Sequence, residues 1–240
     1  MRDQLIEFIK ENNVSYKKEY IEKILLYLDF LYSCNKSINL VGTKEKDQIF
    51  IRHLLDSLSL LKYADRLIYP SERIIDIGTG AGLPGLVLAI FFPGKKFYLL
   101  EKSLKKVKFL NDSISKLSLE NIVVIRKRAE NASREIKNRE QFDLVIARAV
   151  TKFLILIELA IPFCKINGKI IFYKSKKVFD EIKNYNEEIS ILGGGTVNIL
   201  EANVPYLNEI RVFLEIDKVK NTPDKFPRNF SRIKKEDLYK

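Results

Sequence analysis

The chain has 240 residues, 46% of them hydrophobic, so it is long enough to bury a core without disulfide or metal staples. Its 42 Lys and Arg outnumber its 31 Asp and Glu, and the net charge of +11 points to a polyanionic partner. Cys34 and Cys164 form no Cys-x-x-Cys pair and lie far in sequence from the lone His53, so no zinc site is expected and both read as buried thiols.

Residues 1–66 read as a helical cap. The acids near Met1 and the lack of a long apolar run there argue against a signal peptide. No apolar stretch anywhere reaches the roughly 18 residues of a membrane span, and the expected compartment is the cytoplasm. Leu5, Phe8 and Ile9 share one face, and Ile21, Ile24, Leu25, Leu28 and Leu31 form a second stripe at helical spacing. Residues 35–43 are polar around a small apolar patch, and residues 47–61 are helical again with Ile49, Leu54, Leu58 and Leu61 inward. From Glu72 short apolar strands alternate with helices. Strands are predicted over 73–77, 96–100, 121–125, 142–146, 169–173, 195–200 and 210–217, and helices over 84–92, 104–117, 129–137, 153–164 and 177–192. This alternation predicts an α/β domain over 67–217, a mostly parallel seven-stranded sheet with helices on both faces. The last two strands are expected to pair antiparallel after the Gly193-Gly194-Gly195 turn. Residues 218–240 read as a basic, partly extended tail with Pro223 and Pro227.

In such a sheet, ligands bind at the carboxyl ends of the strands where strand order reverses. The first strand ends in Asp76-Ile77 and enters the turn Gly78-Thr79-Gly80-Ala81-Gly82-Leu83-Pro84-Gly85. A dinucleotide fingerprint would require glycine where the chain has Leu83, so the turn favours S-adenosylmethionine over a nicotinamide cofactor. Asp76 is either a buried turn cap or the residue that orders the loop around the methionine amino group. Glu101 follows the second strand, where an acid can accept ribose hydroxyls, or simply be solvated, and Lys102-Ser103 continue that loop. Ala129-Glu130 after the third strand can read an adenine edge, or Glu130 can serve the helix dipole.

Ala147-Arg148-Ala149-Val150 follows the fourth strand. It has no Asn/Asp-Pro-Pro-aromatic run for an exocyclic amine, and the chain has no Pro-Cys for a ring carbon. Guanine N7 is one acceptor that loses no proton, so it needs no general base, and positioning and desolvation suffice for it. Arg148 is the candidate catalytic residue, holding a phosphate, the base or the cofactor carboxylate, with a structural ion pair as the alternative. His53 stands three residues before Asp56 on one helical face, as a structural or RNA-contacting residue. Basic residues cluster at Lys102/Lys105/Lys106/Lys108, at Arg126-Lys127-Arg128, and in the tail at Lys225, Arg228, Arg232, Lys234 and Lys235. The tail interleaves Phe226, Phe230 and Tyr239 with its charges, a mixture suited to RNA.

Taken in order, Asn39-Leu40, Arg52-His53-x-Leu55-Asp56-Ser57, the glycine turn, Arg128-Ala129-Glu130, Ala147-Arg148-Ala149-Val150 and Pro223…Pro227-Arg228 resemble the bacterial small-subunit rRNA guanine-N7 methyltransferases, the RsmG or GidB family. The resemblance implies a Rossmann-like class I fold and S-adenosylmethionine as cofactor, contacted at Gly78, Leu83, Glu101 to Ser103, Ala129, Glu130 and Arg148. With the turn residues Asp76, Gly80 and Gly82, these make up the expected cofactor site. It also implies 16S rRNA or the small ribosomal subunit as partner, customarily at guanine 527 near the decoding site. His53, Arg126, Lys127, Arg128, Lys225, Arg228 and Arg232 are the expected RNA contacts of a chain acting as a monomer. The chain departs from the family pattern at Leu83, usually Phe, at Tyr173-Lys174-Ser175, which lacks a glycine after the lysine, and at Asn229-Phe230. The competing readings are a nicotinamide-dependent oxidoreductase and a non-catalytic RNA-binding module on the same fold.

Overall fold

A computed structural model describes residues 1–148, 151–176 and 185–233. Its strands are β1 (Arg73–Ile77), β2 (Lys96–Leu100), β3 (Ile122–Ile125), β4 (Phe142–Arg148), β5 (Cys164–Ser175), β6 (Gly194–Ala202) and β7 (Arg211–Lys218). They form one sheet in the order β3-β2-β1-β4-β5-β7-β6. β3 to β5 run parallel through β2, β1 and β4, while β7 pairs antiparallel with both β5 and β6. Strand order reverses between β1 and β4, where Ile77 pairs with Ala147. That register puts Gly78 and Arg148 at neighbouring strand ends, the place where such sheets bind ligands.

Successive side chains of a strand face opposite sides. Ile74 and Ile146 accordingly join the core beneath the N-terminal helices, and Ile75, Ile77, Val145 and Ala147 join the core on the other face. Two helices, Arg2–Glu11 and Lys18–Ile38, open the chain. The second buries Ile21, Ile24, Tyr27, Leu28 and Leu31 in the same core as the sheet and ends where Asn39 turns left-handed at φ 50°. The cap therefore shares one continuous core with the sheet. The next helical stretch changes pitch as it runs: Lys46–Ile49, a widened π segment Phe50–Leu55, Asp56–Leu58, a tightened Ser59–Tyr63, then Ala64–Leu67.

Helices Gly85–Phe91 and Leu104–Lys116 lie within a residue of the expected bounds. Others are shorter. The helix after β3 is only Ala129–Ala132, and the one after β4 ends at Ala160 before a tight turn, Ile161–Phe163. β5 begins at Cys164, five residues before the expected strand start. The cause is a bulge: Asn167 is left-handed at φ 67°, pairing shifts between Phe142 and Leu144, and a Cβ on Gly168 would lie 2.7 Å from the Cys164 sulfur. Cys164 is buried as expected, but Cys34 is only half-buried. Of the helix expected over 177–192, Asn186–Ile191 is helical and 177–184 lie outside the described residues. Lys234, Lys235, Tyr239, Ala149 and Val150 also lie outside them.

The tail is not an extended arm over its described part. Lys218 is buried at the end of β7, where its ammonium reaches Glu140 at 3.0 Å and the Ile161 carbonyl at 3.2 Å. Phe226 is buried in the core, and Arg139 holds the carbonyls of Thr222 at 2.7 Å and Phe226 at 2.9 Å. No helix among the described residues is long and apolar enough to cross a membrane.

Candidate active site

The turn after β1 works because its glycines lack side chains. Gly78, Gly80 and Gly82 take φ of 67°, 61° and 95°, a region L side chains rarely adopt. Gly85 serves a different need. A Cβ there would lie 2.5 Å from the Leu99 side chain and 2.8 Å from the Asp76 Cβ, so only glycine lets the helix start against the sheet. Asp76, buried beneath the turn, ties it together. Its Oδ2 accepts from the Thr79 hydroxyl at 2.6 Å and the Gly85 N–H at 2.8 Å. Its Oδ1 has no partner among the described residues, and burial pushes the carboxyl up from 3.8 to about 6. The Tyr27 hydroxyl donates to the Ala81 carbonyl at 2.7 Å, which fastens the N-terminal helix onto the same turn.

Glu101 leaves the end of β2 and is 7% exposed. Its Oε2 accepts the Gly80 N–H at 3.2 Å and its Oε1 the Ser103 N–H at 2.8 Å. One carboxylate thus spans the loops after β1 and β2. Gly78, Glu101, Lys102, Ala129 and Glu130 line a single cleft of about 280 Å³. Five of the expected cofactor residues therefore meet, at the ends of three adjacent strands. Of the other expected residues, Arg148 is not brought to this cleft but lines another cavity, and the rest lie off the lining. Leu83 is buried in the core, a Cβ on Gly82 would lie 2.7 Å from the Leu86 Cβ, and Asp76, Gly80 and Ser103 act through the turn and the Glu101 carboxylate. Ile77, Leu100, Lys106, Thr151, Leu159 and Phe230 also line it, none of them a residue the sequence marks for the cofactor. Lys127 and Arg128, expected at RNA, stand at the same cleft. Lys127 is paired with Glu135, and Arg128 lies 3.8 Å from Glu130.

Arg148 belongs to a second, larger cavity of about 670 Å³, lined also by Arg52, His53, Asp56, Tyr173, Lys174 and Arg211. Its Nη1 donates to Asp56 Oδ2 at 2.6 Å and to the Arg52 carbonyl at 3.1 Å. Its Nη2 meets His53 Nδ1 at 3.1 Å. The π segment supplies Arg52 and His53 and leads directly into Asp56, the kind of local irregularity that re-aims side chains at functional sites. Burial, and then the cations Arg148, Arg211 and Arg52, hold the His53 imidazole down at about 4 from 6.5. His53 is therefore neutral near pH 7, and its Nδ1 accepts from Arg148. Arg211 reaches the other Asp56 oxygen at 3.4 Å, and Glu209 holds Arg52 at 3.2 Å and Arg211 at 3.5 Å. Arg211 enters only through the antiparallel pairing of β7 with β5, opposite Ser175, a contact without a local sequence signal.

The remaining expected RNA residues divide. Arg126, Lys225 and Arg232 are exposed. Arg228 is taken up by the fully buried Glu158, to which it donates from its backbone N–H at 2.7 Å and from Nη2 at 2.9 Å. Arg228, expected at RNA, is thus engaged within the fold. No group of three or more His, Cys, Asp and Glu is placed to hold a metal among the described residues.

A glycine turn at the β1–β4 reversal, an acid at the end of β2 and a parallel sheet closed by an antiparallel β7 define a Rossmann-like class I methyltransferase. The architecture matches a solved structure from Agrobacterium tumefaciens described as a predicted O-methyltransferase, with TM-score 0.53 and 18% identity over 70% of this chain and 81% of that one. The family model for rRNA small subunit methyltransferase G matches residues 20–208, and the chain belongs to that family. Relatives named ribosomal RNA small subunit methyltransferase G include one from Thermoanaerobacter sp., 37% identical over 98% of both chains. Another, from Fusobacterium nucleatum, is 39% identical over 95% of this chain and 96% of its own. The nicotinamide-dependent oxidoreductase reading falls with this membership.

The residues present fit S-adenosylmethionine. The Glu101 carboxylate suits a pair of ribose hydroxyls, Gly78 leaves its backbone exposed to a ligand, and the unpartnered Asp76 Oδ1 retains acceptor capacity beneath the turn.

Proposed function

We propose that the chain transfers a methyl group from S-adenosylmethionine to N7 of a guanine in 16S rRNA, guanine 527 in the customary numbering, acting in the cytoplasm on the small subunit or its RNA. The observation that carries this reading is that two unlike cavities lie on either side of the β1–β4 reversal, one at the ends of β1, β2 and β3 around Glu101 and one at β4, β5 and β7 rimmed by Arg52, Arg148, Lys174 and Arg211. The cofactor supplies an electrophilic methyl on a sulfonium. The chain's own residues bind, orient and exclude water. Glu101 holds hydroxyls, and the glycine turn bonded to it presents the Gly78 backbone beside them.

The acceptor nucleotide enters the second cavity, whose basic rim suits RNA phosphates. Guanine N7 has a lone pair and no proton to lose, so the step needs alignment and no base. The arrangement around His53 agrees with that requirement, because an imidazole held down to about 4 and bonded to Arg148 is a poor proton acceptor near pH 7. Methylation leaves the base cationic. Asp56, paired with Arg148, keeps that wall of the cavity from being a bare positive charge.

The test is methyl transfer from labelled S-adenosylmethionine to 16S rRNA and to assembled small subunits, with the modified base mapped by reductive cleavage at N7-methylguanine. Label at a guanine N7 in the small-subunit RNA is the expected result. Label on an exocyclic amine, a ring carbon or a ribose hydroxyl would overturn the assignment. Binding without transfer to either substrate would favour the non-catalytic RNA-binding module.

A further inference from the structure

The segment after β7 reaches the cofactor cleft. Arg139 and Glu158 pin it at Thr222, Phe226 and Arg228, and it then delivers Phe230 at the start of a short final turn, Phe230–Ile233. Phe230 packs with Ile155, Leu159 and Ile233 beside Ala129, and its ring lines the cleft with Ala129, Glu130 and Leu159. The Arg128 guanidinium lies 5.9 Å from the ring centroid. Among the described lining residues Phe230 is the only aromatic one.

The cleft spans the ends of β1, β2 and β3, with Glu101 after β2 and Ala129 and Glu130 after β3, where Leu159 and Phe230 add apolar surface against Ala129. A ligand whose ribose meets Glu101 carries its purine next to that ribose. A purine has flat apolar faces that gain from an aromatic partner. We infer that Phe230 is a cofactor-binding residue whose ring packs on the purine, so that the C-terminal segment forms a wall of the cofactor cleft and not an RNA-stacking arm. The inference rests on S-adenosylmethionine being the ligand of the cleft.

The full-length chain and its F230A, F230L, F230Y and R232A variants are titrated calorimetrically with S-adenosylmethionine and with 5′-methylthioadenosine, which lacks the amino-acid portion. Affinity for 16S rRNA is measured in parallel. F230A should lose on the order of tenfold in affinity for both small ligands, with F230Y close to the parent and RNA affinity unchanged. R232A, in the same turn, should leave both small-ligand affinities unchanged. F230L retains apolar bulk without the flat ring, and it decides the matter if F230A does not fold: a clear loss supports the stacking role. Parent-like cofactor affinity in F230L and F230A, or a loss confined to RNA binding, would overturn the inference. A parent chain that binds neither small ligand would overturn the cofactor reading itself, which is a different outcome.

Discussion

Asp76 and His53 are displaced in opposite directions, and their effects on stability should nearly cancel between pH 4 and 6.5 until one is removed. Burial raises the Asp76 carboxyl from 3.8 to about 6. The folded chain therefore holds this proton more tightly than the unfolded chain, and the stabilisation is complete below 3.8 and lost as pH rises through 6. Burial and neighbouring cations lower the His53 imidazole from 6.5 to about 4. Here the unfolded chain binds the proton more tightly, and stability is complete above 6.5 and lost as pH falls through 4. At about 1.4 kcal/mol per pH unit, each group contributes on the order of 3 kcal/mol across its window, with opposite sign.

Asp76→Asn keeps an oxygen for Thr79 and Gly85, and His53→Gln keeps an acceptor for Arg148, so both variants remove the titration while conserving the bonds. Relative to the parent, Asp76→Asn should lose up to about 3 kcal/mol on acidification from pH 6.5 to 4, and His53→Gln should gain a similar amount. The chain has no tryptophan, so urea unfolding is followed by circular dichroism at half-unit pH steps. The differences from the parent matter, because every other group cancels in them. A difference curve flat to within about 0.5 kcal/mol for either variant would refute the claim that burial governs that group.

Other substitutions test the two cavities and the turn. Glu101→Ala should weaken S-adenosylmethionine binding by roughly 1–3 kcal/mol in a calorimetric titration, with Glu101→Gln recovering part, and parent-like affinity in the alanine variant would remove Glu101 from the site. Arg148→Ala strands a carboxylate that is 5% exposed, with Arg211 as partial compensation at 3.4 Å. It should cost about 3 kcal/mol in urea unfolding, and Asp56→Asn in the same chain should restore part of that, whereas equal stability of the single variant would show that Arg148 is free of a structural role. Gly85→Ala should lose about 1–3 kcal/mol because its Cβ meets Leu99 and Asp76, while Gly42→Ala, with nothing within 4 Å, should melt like the parent.

The strands were legible because each is a short apolar run bounded by turn residues, and the glycine turn because φ above zero selects glycine. The early start of β5 is hidden for the same local reason. Asn167-Gly168 looks like a turn, and only the crowding of Gly168 against Cys164 and Asp143 makes it a bulge inside a strand. The docking of the tail has no signal in its composition, which reports charge and not partners. Arg139 and Glu158 lie 83 and 70 positions from the Thr222 and Arg228 they bind. Phe230 was anticipated as an aromatic among charges, but the cleft it lines is assembled from the loops after three other strands.

The same non-locality explains how a chain of net charge +11 keeps a basic cavity from repelling itself apart. Arg52, Arg148 and Arg211 arrive from the π segment, β4 and β7. Two acids hold them, and the two are unequal. Asp56 is 5% exposed on its side chain and binds Arg148 at 2.6 Å, whereas Glu209 is 45% exposed and binds Arg52 at 3.2 Å and Arg211 at 3.5 Å. A buried pair is costly to break, and an exposed one is worth at most about 1 kcal/mol. Under the proposed function, an RNA phosphate can therefore take Arg52 or Arg211 from Glu209 at little cost, while the Arg148–Asp56 pair stays intact within the same cavity. Under that reading, affinity for the polyanion rests on the guanidiniums at the rim, and the shape of the cavity's inner wall rests on the pair that the fold keeps fixed.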